Sequence, residues 1–231
     1  MKKANLLLAT MLLALSVASF AQPDMKETVA MIKTNLLQSK EKVKQYAWIE
    51  TTKTYIKGEL KSTKQNQCYY SVDGQLTKVA TGASEQAKTP GGLRGKIAAG
   101  KKEEMADYIA KAVEKIKAYL PPAGEKIQQI YGAGKVSIQI LEPNKKFKLS
   151  FPDYMLQGDV LAISVDKTAQ KLMALNVSTY IDKPEDKVVF DVTYKDLPDG
   201  TQYPVTTSLV AAAKDLKIVI EQSGFKKGAG L

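Results

Sequence analysis

The sequence predicts an α+β fold: a curved antiparallel sheet, half-barrel-like, with an N-terminal helix and a helical insertion packed on one face. Three observations predict it. Segments rich in β-branched and aromatic residues recur from 47 to 79 and again from 135 to 222, separated by turn residues. Helical periodicity is confined mainly to 25–43 and 105–120. The strands also lack the regular helical crossovers of a parallel sheet, so consecutive hairpins are expected.

The chain opens with the three parts of a secretory signal peptide. Lys2 and Lys3 form a positive n-region, Leu6 to Val17 an apolar stretch, and Ser19-Phe20-Ala21 a small-residue cleavage site, which places the cut after Ala21. The alternative is an uncleaved anchor, but the apolar run is shorter than the roughly 20 residues a bilayer core requires. Residues 1–21 are therefore expected to be removed, leaving 22–231 as a single α+β domain with a helical insertion at 84–134. No later stretch is apolar enough to span a membrane, and the expected location is periplasmic or secreted.

In the exported part, Asp24 is an expected N-cap for a helix whose apolar face carries Met25, Val29, Ile32, Leu36 and Val43. Strand character begins near Trp48, breaks at Gly58 and resumes from Leu60 to Tyr70. Asp73-Gly74, between extended flanks, predicts a hairpin with both central residues at positive φ. Small and polar residues from Thr81 to Pro90 indicate a loop, and the basic, glycine-rich run from Gly91 to Lys102 reads as its continuation. A helix with Met105, Ile109, Ala112, Val113, Ile116 and Leu120 on one stripe follows and ends at Pro121-Pro122. A shorter helix is expected from Glu125 to Tyr131. The remainder reads as strands at 135–141, 145–151, 160–165, 171–179, 187–194, 203–213 and 216–222, with turns at Pro143-Asn144, Asp166 to Gln170 and Leu197 to Gly200.

Composition excludes more than it assigns. The chain has no histidine, which removes Ser-His-Asp and Cys-His couples, histidine metal ligands and an imidazole switch. Cys68 is the sole cysteine, so no intramolecular disulfide can form; it is expected to pack as a small apolar residue, the alternative being an intermolecular or redox role. Arg94 is the only arginine among 34 basic residues, against 24 acidic ones. Readers of nucleic acid favour arginine forks, so no nucleic-acid partner is expected. A lysine-rich surface is either simply solvated or drawn to an anionic envelope surface.

No motif supplies a cofactor or metal site. Gly132-Ala133-Gly134-Lys135 lacks the upstream glycine and the Ser/Thr of a phosphate loop, and Ser137 stands where a dinucleotide fingerprint needs glycine. Asp153, Asp159, Asp166, Asp182, Glu185 and Asp186 could in principle serve a carboxylate hydrolase, but they sit in turns, where acidic residues serve turn chemistry. The segment 182–186 also lacks the ligand alternation of a calcium loop. Arg94, Lys96, Lys101 and Lys102 form a candidate surface-docking loop, or merely a solvated approach to a helix. Leu161 and Ile163, then Met173, Leu175 and Val177, then Phe190, make apolar faces on successive strands. With Trp48 they form the candidate face for a hydrophobic ligand, since an open sheet covered by amphipathic helices can enclose a cavity.

This order of elements resembles the periplasmic lipoprotein-carrier fold of LolA-like, LppX-like and RseB-like proteins. The resemblance implies a half-barrel whose concave face holds acyl chains beneath a helical lid. The stretches Tyr46 to Thr51, Lys57 to Ser62, Gly92 to Ile97 and Leu197 to Thr201 are similar to those of uncharacterised exported bacterial proteins, which imply no activity. The function expected is non-catalytic binding of a lipid or a lipid-bearing partner. The alternatives are an envelope interaction protein with a filled core and, third, a carboxylate enzyme.

Overall fold

The computed structural model describes residues 25–82 and 92–228, with side chains from 30 to 82 and from 100 to 228. The signal peptide, the Asp24 cap and most of the Thr81–Pro90 loop lie outside the described residues. Within them run α1 (Met25–Val43), β1 (Tyr46–Ile56), β2 (Glu59–Tyr70), β3 (Leu76–Ala80), α2 (Gly92–Lys117) and α3 (Gly124–Gly132). Seven further strands follow: β4 (Ser137–Glu142), β5 (Lys146–Pro152), β6 (Val160–Asp166), β7 (Lys171–Tyr180), β8 (Lys187–Asp196), β9 (Gln202–Ala211) and β10 (Leu216–Lys227).

All ten strands form one antiparallel sheet in the order β3-β2-β1-β10-β9-β8-β7-β6-β5-β4, curved and not closed. Every neighbour but one is joined by a short connection; the exception is β1 against β10, with Thr52 opposite Ile220 and Ile56 opposite Leu216. The chain walks outward from β1 to the β3 edge, crosses to the opposite edge, then returns strand by strand to β1. That crossing is the task of the insertion. Nine interstrand spacings of ~4.8 Å amount to ~43 Å in a flat sheet. The 26 residues of α2 span ~39 Å at ~1.5 Å each, so this helix is long enough to bridge the curved sheet.

The turns follow local chemistry. Lys57 and Gly58 both have positive φ (53° and 77°), the two-residue type I′ geometry that matches strand twist. Asp73-Gly74 does not share it: only Gly74 is at positive φ, with its N–H bonded to the Ser71 carbonyl and the Ser71 N–H to the Gln75 carbonyl. This is a three-residue loop ending in a glycine bulge, and it corrects the expectation of two positive angles. Leu197 to Thr201 repeats the pattern, again with Asp-Gly at its end.

The Gly91–Lys102 run is a second correction. From Gly92 onward it is helix, continuous with the rest of α2, and not a loop. Gly95 and Gly100 each cost about 1 kcal/mol relative to alanine. Leu93, Ala98, Ala99 and the lysines are good helix formers, and no proline interrupts residues 92–117. Pro121 and Pro122 do stop the helix, which tightens through Ala118, Tyr119 and Leu120, each bonding three residues back.

The core lies between the three helices and one face of β5–β10, where Phe151, Leu161, Val177 and Val188 are fully buried. Burial of each such side chain contributes roughly 1.5–3 kcal/mol. A bulge between Ser164 and Val165 shifts the register of β7, so Leu172 instead of Met173 enters the core.

Candidate functional site

The strand register sets the chemistry of the helix-facing surface. One row across the sheet reads Phe151, Leu161, Val177, Phe190, Leu209, Ile218 and then Thr54. The next reads Leu149, Ile163, Leu175, Val192, Thr207, Ile220 and then Thr52. The face is therefore apolar from β5 to β10 and becomes hydroxyl-bearing at β1. Over β5–β7 the helices cover it and these side chains are buried. Over β8–β10, Leu209 and Val192 are buried while Phe190, Ile218 and Ile220 are half-buried, and a groove opens between α2 and the sheet.

The gap is a groove of about 340 Å³. Ile109, Val113 and Ile116 of α2, with Leu120 just beyond it, form one wall; Phe190, Leu209, Ile218 and Ile220 form the floor; Thr207 and Lys117 are the polar contributors among the described residues. The volume falls within the roughly 300–1,000 Å³ typical of small-molecule sites. A second groove, about 560 Å³, lies between α1 and the turn leading into α3. Ile32, Leu36, Leu37, Pro121, Pro122, Ile127 and Ile163 line it, with Lys33 and Lys40 from α1. Leu120 belongs to the first groove and Pro121 to the second, so the two adjoin at the C-terminal turn of α2.

Polar contacts anchor α2 and the segment after it at the margins of the groove. Near its middle, the Tyr108 hydroxyl donates to Asp186, and Lys214 pairs with Glu104 at 2.8 Å while lying 5.5 Å from the Tyr108 ring centre. Just past its end, the buried Tyr119 hydroxyl sits 2.6 Å from Asp159 Oδ2 and 2.8 Å from Thr179 Oγ1. Burial, followed by the hydrogen bond to the neighbouring carboxylate, pushes both tyrosine hydroxyls above their ordinary pKa.

The sequence-predicted ligand face is divided by the structure. Phe190 lines the first groove and Ile163 the second. Leu161, Leu175 and Val177 are core residues beneath the helices. Met173 is the half-buried bulge residue of β7. Trp48 lines neither groove. It is buried in a separate aromatic cluster, stacked on Phe225 at 5.6 Å and next to Tyr70, and its Nε1–H has no hydrogen-bond partner among the described residues. Lys101 and Lys102 are exposed on α2, and Arg94 and Lys96 lie in its first turns. Sequence reading missed Lys33, Lys40 and Lys117, which have no signal apart from their helical spacing beside apolar residues.

Of the acidic candidates, Asp182 and Asp186 line one pocket of about 290 Å³ with Glu104, Asp107, Lys111 and Lys214, whereas Asp153, Asp159 and Asp166 are engaged in turns. Asp159 accepts backbone N–H bonds from Met155 and Leu156 and Asp153 from Gly158, both closing the one connection between β5 and β6, and Asp166 accepts from Ala169 in the turn before β7. Asp186 instead accepts from Tyr108. Among the described residues, no group of three or more acidic or cysteine side chains is placed to hold a metal ion. Cys68 is fully buried, and burial, then the Glu50 carboxylate, raises its thiol pKa.

No family model and no curated protein matches the chain. Three solved structures align with the chain at low identity and low TM-score. A DUF1329 family protein from Desulfovibrio piger aligns at 9% identity and TM-score 0.39, over 90% of this chain and 94% of that one. A domain described as an outer membrane lipoprotein-sorting protein, from Vibrio parahaemolyticus, aligns at 11% identity and TM-score 0.35, over 90% and 95%. A LolA superfamily protein from Nitrosomonas europaea aligns at 10% identity and TM-score 0.31, over 84% and 93%. No helix among the described residues is long and apolar enough to cross a membrane.

Proposed function

We propose that this is an exported, non-catalytic protein that binds a hydrophobic ligand between α2 and the curved sheet. The observation that carries the proposal is the groove between α2 and the apolar floor of Phe190, Leu209, Ile218 and Ile220. A filled core would bring helix and sheet into contact there, as over β5–β7. The turn-closing roles of Asp153, Asp159 and Asp166 account for those carboxylates without catalysis. The signal-peptide features of residues 1–21 support export of the rest.

The test is saturable binding of N-phenyl-1-naphthylamine, an uncharged apolar fluorophore, to the protein after removal of residues 1–21 and delipidation. Enhancement of fluorescence is expected, with affinity weakened about tenfold by Val113→Trp, which fills the groove from a partly exposed helix position. Absence of saturable enhancement, or unchanged affinity in the variant, would count against the proposal. An organic extract of gently purified protein, read by mass spectrometry, identifies any ligand carried from the cell.

A further inference from the structure

We infer that the two adjoining grooves form one site for a two-chain lipid with an anionic headgroup, of the phospholipid class. It would lay one acyl chain under α2 and the other between α1 and α3. The inference deepens the function proposed above and rests on it.

The number of chains follows from the space and the adjacency. A cavity of about 150 Å³ accommodates benzene, or roughly 25 Å³ per carbon. The groove under α2, at about 340 Å³, thus has room for roughly 13 carbons, which is one chain and not two. The groove beside α1 has room for at least one more. Consecutive residues Leu120 and Pro121 face the two grooves, so the turn after α2 divides them as the glycerol of a lipid divides its chains.

The sign of the headgroup follows from the linings. Together the two grooves contain three lysines, Lys33, Lys40 and Lys117, and no carboxylate. None of the three is taken up by an ion pair among the described residues, so each is available to an anion. Lys33 and Lys40 stand seven residues apart on α1, about 10 Å along its axis, and bracket Leu36 and Leu37. Lys117 is three residues before Leu120. An apolar trough edged by unpaired cations fits acyl chains attached to an anion, and does not favour a sterol ester or a free hydrocarbon.

Native mass spectrometry and displacement of the fluorophore, using dimyristoyl-phosphatidylglycerol as the probe, test this. One lipid is expected per chain. Val113→Trp and Leu37→Trp, both at partly exposed positions, should each weaken it about tenfold, because each blocks one chain. The triple variant Lys33→Gln/Lys40→Gln/Lys117→Gln should weaken the phospholipid about tenfold more than it weakens the uncharged fluorophore. Unchanged phospholipid affinity in Leu37→Trp, independent binding of two phospholipids, or no effect of the triple variant would each overturn the inference. Fluorophore binding without phospholipid binding would overturn this inference alone; loss of both would remove the function proposed above as well.

Discussion

Tyr119→Phe is the most direct test of what sets the height of α2 above the sheet. The substitution keeps the ring, which packs 5.9 Å from the Tyr154 ring, and deletes only a buried hydroxyl between Asp159 and Thr179. Asp159 precedes β6 and Thr179 lies in β7, so the hydroxyl ties the segment after α2 to two strands. A hydrogen bond to a charged group contributes about 1.5–3 kcal/mol, and a neutral one about 1. Asp159 keeps the N–H groups of Met155 and Leu156, so its carboxylate is not stranded and the loss should fall near ~2 kcal/mol. For a chain of this size that corresponds to a Tm lower by roughly 4–8 °C. Urea denaturation should show a midpoint lower by about 1 M with unchanged slope. Thr179→Val removes the same contact from the other side, so the double variant should fall short of additivity by at least about 0.5 kcal/mol. A Tyr119→Phe midpoint equal to that of the parent protein, or full additivity with Thr179→Val, would refute the proposed tie.

Other expectations concern local chemistry. Cys68 should be inert to a thiol reagent in the native state and react once in denaturant, because it is fully buried with a raised pKa; native-state labelling would contradict this. Gly74→Ala should cost about 1 kcal/mol in urea denaturation through its positive φ alone, since no atom lies within 4 Å of the added methyl position. Glu142 should titrate at about 2 by carbon-13 NMR, held down by Lys146 and then Lys145. Its pKa is depressed on folding, so its stabilising contribution is present above its ordinary value and is lost as pH falls through about 2. An ordinary midpoint for Glu142 would show that neither lysine holds it.

Much of the framework was legible in local pattern. The alternation of Leu161, Ile163 and Val165 identified β6, and the stripe through Met105, Ala112 and Ile116 identified the body of α2. Pro121-Pro122 marked its end. Met173 was misplaced because alternation is read along one strand, while a bulge is a relation between two. The start of α2 was missed because glycine weakens a helix locally, whereas the helix as a whole is also stabilised by the packing of Ala112 and Ile116 at its far end.

What the sequence determined by itself was each element's character: period, turn chemistry, the absence of histidine and the balance of lysine over arginine. All of these are properties of single residues or of neighbours along the chain. Only the tertiary structure decided that β1 pairs with β10, that Phe190 and Ile163 face grooves while Leu161 and Val177 fill the core, and that Trp48 belongs to a separate cluster. The same apolar strand pattern serves a packed face and an open one. What separates them is how closely a helix covers them, which depends on contacts between residues far apart in the chain, such as Tyr119 with Asp159, 40 residues further along.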